Sequence, residues 1–125
     1  MADLGIDIIE IERLERAAAR HPRLLQKVFT AAERAYCLSR PRPAVFLAAR
    51  FAAKEAVLKA LGVGLGRCPL REIEITREDS GRPQVMLHGR ASRLAGSLGI
   101  KRIAISLSHC QSYATAVALA VKEEN

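Results

Sequence analysis

Residues 43–61 read PAVFLAARFAAKEAVLKAL, and this stretch decides the fold. Proline opens it and then disappears, while alanine and leucine, both strong helix formers, carry it without a break. At 1.5 Å per residue the stretch predicts one helix about 28 Å long. Gly62, Gly64 and Gly66 end it in a flexible turn. Such a helix is long enough to be the central element of a small domain. It also sets an acid, Glu55, among lysines on a helix otherwise rich in alanine.

The remaining segments arrange themselves around it. LGIDII, residues 4–9, is rich in isoleucine and has no helical spacing, so it reads as a buried strand carrying one acid, Asp7. From Ile11 the period changes: Ile11, Leu14 and Ala18 recur at helical spacing, with Arg13, Arg16, Arg20 and Arg23 on another side. His21-Pro22 breaks or kinks that helix. Thr30 and Glu33 form a capping box that starts a helix through Leu38, and residues 39–43, SRPRP, form a loop. After Pro69, REIEITR alternates, DSGRP supplies a turn and QVMLH returns as a hairpin partner. A short helix over 90–98 stops at Gly99. Strands over 102–108 and 113–121 follow, joined by a turn at 109–112. This order predicts an α+β domain with a mainly antiparallel sheet, and the whole chain, 1–125, as one domain.

Half of the 125 residues are hydrophobic and only 4% are aromatic, so the core is built from Ala, Leu, Ile and Val. Twenty Lys and Arg against thirteen Asp and Glu leave a net charge of +7, which favours an acidic partner without naming it. The scattered aromatic residues offer no stacking platform for single strands. Cys37, Cys68 and Cys110 have no CxxC spacing, which argues against a zinc site or a disulfide framework and for a reducing, cytoplasmic setting. The amino-terminal residues do not read as a secretion signal. The most apolar region, 44–65, is interrupted by Arg50, Lys54, Glu55 and Lys59, and is no membrane span.

Phe51, Glu55 and Lys59 are spaced by four and share one helical stripe. By itself this fits an ordinary ion pair on a solvated face. Asp7 adds weight, because a carboxylate in so apolar a strand needs a charge partner, a metal, or a helix end to cap. Two carboxylates from different elements with a lysine nearby also make a minimal Mg²⁺ site that leaves room for phosphates and water. In SLSHCQSYATA, residues 106–116, His109 and Cys110 are adjacent on an extended chain and point to opposite faces, which argues against an activated thiol and for a polar, ligand-binding turn.

Taken together, GIDIIEIERL near the start, RFAAKEAVLKALGVG in the middle and SLSHCQSYATAVA near the end resemble the three motifs of the holo-acyl-carrier-protein synthases, the small phosphopantetheinyl transferases. With SGRP at 80–83, the resemblance covers essentially the whole chain. It implies transfer of 4'-phosphopantetheine from coenzyme A to a serine of an acidic acyl carrier protein, leaving adenosine 3',5'-bisphosphate. It also implies a metal, Mg²⁺ with Mn²⁺ as the alternative, held by Asp7 and Glu55. Lys59 matches the lysine that meets coenzyme A phosphates, so Asp7, Glu55 and Lys59 are the implied catalytic set. Arg50, Phe51, Gly62, Pro83, Ser108 and His109 fall in the segments that border coenzyme A. Arg13, Arg20 and Arg23 match basic positions of the carrier-docking helix. The proton acceptor for the serine stays open between Glu55, a water on the metal, and His109. Family members of this size are homotrimers with coenzyme A between subunits. The chain departs from the pattern in having one glycine, Gly5, ahead of Asp7 and in placing Cys110 after His109. Two other readings remain at this point: a basic nucleic-acid-binding module without catalysis, and a Mg²⁺-dependent phosphohydrolase that attacks with water.

Overall fold

The computed structural model of the chain describes residues 2–122. The elements follow in the order β1 (Ala2–Glu10), α1 (Ile11–Arg20), α2 (Leu24–Val28), α3 (Ala31–Leu38), α4 (Pro43–Ala60), β2 (Ile73–Arg77), β3 (Pro83–Leu87), α5 (Gly89–Ser97), β4 (Ile100–His109) and β5 (Tyr113–Lys122), with one 3-10 turn, Leu70–Glu72, ahead of β2. Strands β1, β5 and β4 form one antiparallel sheet in that order, and β2 and β3 pair as a separate hairpin. This is the α+β arrangement expected from the order of the segments, with the long helix at its centre.

Three local expectations change. Arg23 leaves the basic face of the first helix, because α1 ends at Arg20 and Arg23 sits at the start of α2. His21-Pro22 accounts for the break. Arg71 and Glu72 belong to the 3-10 turn rather than to β2. There the carbonyls of Leu70 and Ile73 turn inward to accept hydrogen bonds from the Lys54 ammonium, at 3.0 and 2.7 Å. Finally, β1 is buried on one face only. Gly5, Asp7 and Ile9 point inward, whereas Leu4, Ile6 and Ile8 are 69%, 65% and 65% exposed on the outer face.

Helix α4 lies on the inner face of the sheet, and where it crosses β5 the contact is rich in alanine. Ala52, Ala53, Ala56 and Ala60 on the helix, and Ala114, Ala116, Ala118 and Ala120 on alternate positions of β5, are all at most 2% exposed. Methyl against methyl lets the two backbones come unusually close. Closest of all is Gly5, where an added Cβ would lie 2.0 Å from the carbonyl oxygen of Ala56 and 2.6 Å from the amide nitrogen of Ala60. Both are backbone atoms and cannot rotate away. The single glycine of β1 therefore stands where the strand crosses α4.

A buried ion pair ties α4 to the rest. Lys54 is fully buried, and its ammonium donates to Glu33 Oε1 at 2.8 Å as well as to the two carbonyls above, so all three donors are used. Glu33 is 2% exposed and completes the expected capping box with Thr30. Its other oxygen accepts from the amide of Ile75 in β2 at 2.9 Å. Burial pushes the Lys54 ammonium below its ordinary range, and the Glu33 carboxylate pulls it back.

Two stability outcomes follow from these contacts. Gly5→Ala forces β1 off α4 and costs about 1–3 kcal/mol or more, the usual range for overpacking, read from the urea midpoint at fixed protein concentration. Lys54→Met strands the Glu33 carboxylate and costs about 3–5 kcal/mol in the same assay. Lys59→Met, which removes an exposed pair, costs less than about 1 kcal/mol.

Candidate active site

Asp7 projects from the inner face of β1, and the approach at Gly5 brings it to the stripe of α4 that carries Phe51 and Glu55. The three residues line one cavity of about 400 Å³, together with Arg13, Leu14 and Leu24. Asp7 does not cap the following helix: the N-cap of α1 is Glu10, and no side chain caps it. Its backbone is instead fixed from β5, where the Thr115 hydroxyl donates to the Asp7 carbonyl at 2.7 Å. The Asp7 side chain is 19% exposed.

Lys59 reaches across from the same helical stripe. Its ammonium donates to the Ile6 carbonyl at 2.9 Å and to Asp7 Oδ1 at 3.2 Å. The i to i+4 pair with Glu55, expected of an ordinary solvated stripe, is not made; Glu55 has no ion-pair partner among the described residues. Burial first, and the negative charge of Asp7 second, push the Glu55 carboxyl above its ordinary value, with Lys59 acting the other way. Two acids thus face one space, and a half-exposed lysine holds only Asp7.

The other expected ligand-binding residues lie elsewhere. Arg50, Pro83 and His109 line a second cavity of about 540 Å³ with Phe46, Arg77 and Arg82, and no residue lines both cavities. The reason is helical: Arg50 and Phe51 are adjacent on α4 and project about 100° apart. Gly62 and Ser108 line neither cavity. Gly62 ends α4 with φ of +76°, and Ser108 faces outward on β4, opposite Thr115. Arg13 opens onto the acidic cavity, whereas Arg20 and Arg23 line a shallow basic cleft of about 450 Å³ with Leu24 and Lys27. Cys110 is exposed, and backbone hydrogen bonds from Ser112 and Tyr113 hold its thiol below the ordinary value. His109 turns toward Phe46, with ring centroids 6.2 Å apart.

Three features escaped the sequence reading. Lys54 looked like one more charge beside Glu55, although its place among Arg50, Val57 and Leu58 on the apolar face of α4 was a usable signal. Gly5 stands out in the sequence only by lacking a second glycine beside it. Arg77 lines the second cavity, Tyr36 lines an adjacent one together with Arg50 and Arg77, and neither is part of a motif.

The model of the 4'-phosphopantetheinyl transferase superfamily matches residues 3–118. A holo-acyl-carrier-protein synthase of Moorella thermoacetica is 67% identical over 119 residues, covering 95% of this chain and 93% of its own length. Its counterpart in Chlamydia trachomatis serovar L2 is 51% identical over 122 residues, with 96% and 99% covered. Among solved structures, the Helicobacter pylori holo-acyl-carrier-protein synthase in complex with coenzyme A superposes with a TM-score of 0.83 at 28% identity, over 94% of this chain and 99% of that one. With these matches over nearly its full length, the chain belongs to the 4'-phosphopantetheinyl transferase superfamily and is an enzyme of its holo-acyl-carrier-protein synthase branch.

Proposed function

We propose that this enzyme moves the 4'-phosphopantetheine group of coenzyme A onto a serine hydroxyl of an acidic acyl carrier protein. The serine oxygen forms a bond to the pantetheine-bearing phosphorus, the bond from that phosphorus to the bridging oxygen breaks, and adenosine 3',5'-bisphosphate leaves with the electron pair. The observation that carries this reading is the convergence of Asp7 and Glu55 on one cavity, with Lys59 bonded to Asp7.

Two carboxylates open on one side match the donor set of Mg²⁺, which keeps positions for phosphate oxygens and water. Asp7 and Glu55 would hold that ion, or Mn²⁺, and bound there it would neutralise charge growing on the pyrophosphate. Lys59 is 55% exposed in its side chain, so its pair with Asp7 is weak, and it can exchange that carboxylate for a phosphate oxygen. Glu55, the acid without a protein cation, is placed to accept the serine proton. His109 is the poorer candidate within one subunit, because it lines the other cavity.

That other cavity suits the nucleotide. Arg50, Arg82 and His109 offer donors for the 3'-phosphate, and Pro83 an apolar edge. Since it shares no lining residue with the acidic cavity, we place coenzyme A across a boundary between subunits of a homotrimer. The outer sheet face supports this: Leu4 stands opposite Leu119 and Ile6 opposite Val117, an apolar surface left open on one copy. Ser108 lies on the same face, where a neighbouring subunit would meet it. Arg13, Arg20 and Arg23 form the docking surface for the acidic carrier, and Arg13 connects that surface to the acidic cavity. No helix among the described residues is long and apolar enough to cross a membrane, and a cytoplasmic setting goes with three unpaired cysteines.

Incubation with coenzyme A, Mg²⁺ and apo-carrier protein tests the reading by carrier mass. A gain of one phosphopantetheine supports it. Coenzyme A cleaved without a carrier gain favours a phosphohydrolase, and no change in either favours a binding module. Asp7→Asn and Glu55→Gln each lower turnover roughly a hundredfold with the fold intact; near-normal rates in both at saturating Mg²⁺ remove the metal assignment.

Reversing Arg20 and Arg23, which lie outside the acidic cavity, to Glu raises KM for the carrier about tenfold and leaves KM for coenzyme A nearly unchanged. Added salt reproduces that defect in the parent and does little to the reversed variant. Equal salt loss in both proteins would make the basic face an ordinary solvated surface.

A further inference from the structure

Beside the second cavity, three guanidinium groups gather around one aromatic ring. The Arg50 carbon Cζ lies 4.5 Å from the centre of the Tyr36 ring, and those of Arg40 and Arg77 each lie 5.4 Å from it. A guanidinium nitrogen of Arg77 also donates to the Tyr36 hydroxyl. The ring itself packs edge-on against Phe46, and Phe46 in turn lies against His109.

None of the three arginines makes an ion pair among the described residues. Arg50 is only 4% exposed, and its Nε is buried without a hydrogen-bond partner. The two carboxylates in the same wall are already taken, Glu33 by Lys54, Thr30 and Ile75 and Glu74 by Thr30 and His88. Positive charge is therefore concentrated without a partner carboxylate, and the shared feature of the three guanidinium groups is the π-face of Tyr36. Such an arrangement is unfavourable alone and becomes favourable when a multiply charged anion arrives.

We infer that Tyr36 is a positioning residue for nucleotide recognition: its ring and hydroxyl hold Arg50 and Arg77 so that their guanidinium groups meet a phosphate dianion together. This deepens the proposed function and rests on it. Coenzyme A carries two acidic centres, the pyrophosphate and the 3'-phosphate. With the pyrophosphate assigned to the Asp7 and Glu55 cavity, the 3'-phosphate is the dianion left for these arginines. Tyr36 touches no substrate in this scheme. It acts through Arg50, which lines the cavity from inside, and Arg77, which closes it from the hairpin and is itself braced by two hydrogen bonds to the Gly81 carbonyl, at 3.2 and 2.9 Å.

The specific consequence is selectivity between nucleotides that differ only at the 3' position. It is read by calorimetric titration of the full-length protein with adenosine 3',5'-bisphosphate and with adenosine 5'-monophosphate, alongside transfer kinetics with coenzyme A and 3'-dephospho-coenzyme A. Tyr36→Leu lowers affinity for the bisphosphate about tenfold and that for the monophosphate far less. In turnover the loss falls on KM for coenzyme A rather than on kcat. Tyr36→Phe, which keeps the ring, recovers most of the selectivity. Arg77→Gln, at an exposed side chain that does not threaten the fold, narrows the selectivity by itself, and Tyr36→Leu costs less in that background than in the parent.

Equal weakening of both nucleotides by Tyr36→Leu would make the ring a general scaffold and overturn the inference, as would strictly additive losses in the double variant. If Tyr36→Leu does not fold, unchanged selectivity in Arg77→Gln overturns it. A parent protein that transfers phosphopantetheine while its variants keep full selectivity refutes the role of Tyr36 alone. A parent that neither transfers the group nor binds either nucleotide refutes the proposed function, and this inference with it.

Discussion

Everything at the acidic cavity depends on how closely one helix lies on one strand. At Gly5 the backbones of β1 and α4 meet with no room for a single methyl group, and two residues further along the strand Asp7 faces the stripe of α4 that carries Glu55. A larger separation, of the kind made by leucine and isoleucine layers, would draw the two carboxylates apart. The alanines of α4 and the alternating alanines of β5 are therefore not filler. They contribute less burial per residue than larger side chains would, and the domain accepts this in exchange for a short distance between elements. Low aromatic content belongs to the same solution.

Helix α4 uses its charged residues in two opposed ways. Lys54 is sealed inside, all its hydrogens committed, and anchors the helix to the start of α3 and to the hairpin. Five residues on, Lys59 is half exposed and held only by a carbonyl and one oxygen of Asp7. A buried charge with fixed partners confers rigidity, because each partner left alone is costly. An exposed one remains available, because leaving costs little. Glu33 shows the same economy in the acid: a local capping box and a long-range ion pair share one carboxylate, so the start of α3 and the rotation of α4 are set by one group.

Much of this was legible in the sequence, and the legible part has a common character. The α4 helix, the capping box at Thr30, the hairpin at SGRP and the position of Asp7 are all carried by residues near one another in the chain, and the spacing of Glu55 and Lys59 puts both on the stripe of α4 that faces Asp7. What was not legible depends on partners far away. Lys54 finds Glu33 across 21 residues, and Arg77 finds Tyr36 across 41; neither pair has a spacing to announce it. The same holds for β1, whose isoleucines read as core. Only the packing of α4 on one face of the sheet, with the other face open, shows that alternate ones point outward. The division of the expected ligand residues between two cavities was equally hidden, since adjacency in RF conceals a turn of about 100° between Arg50 and Phe51.

The pairing of β1 with β5 gives the domain a timetable. Asp7 lies in the first strand, yet its carbonyl is held by Thr115, 108 residues later, and its strand has no other neighbour in the sheet. During synthesis the helices and the hairpin can begin to form as they emerge, because their backbone hydrogen bonds are local. The first strand must wait, its isoleucines uncovered, until the final strand has left the ribosome. The acidic pair is thus assembled at the end of folding, and a nascent chain presents no finished pair of facing carboxylates to its surroundings before the whole sheet exists.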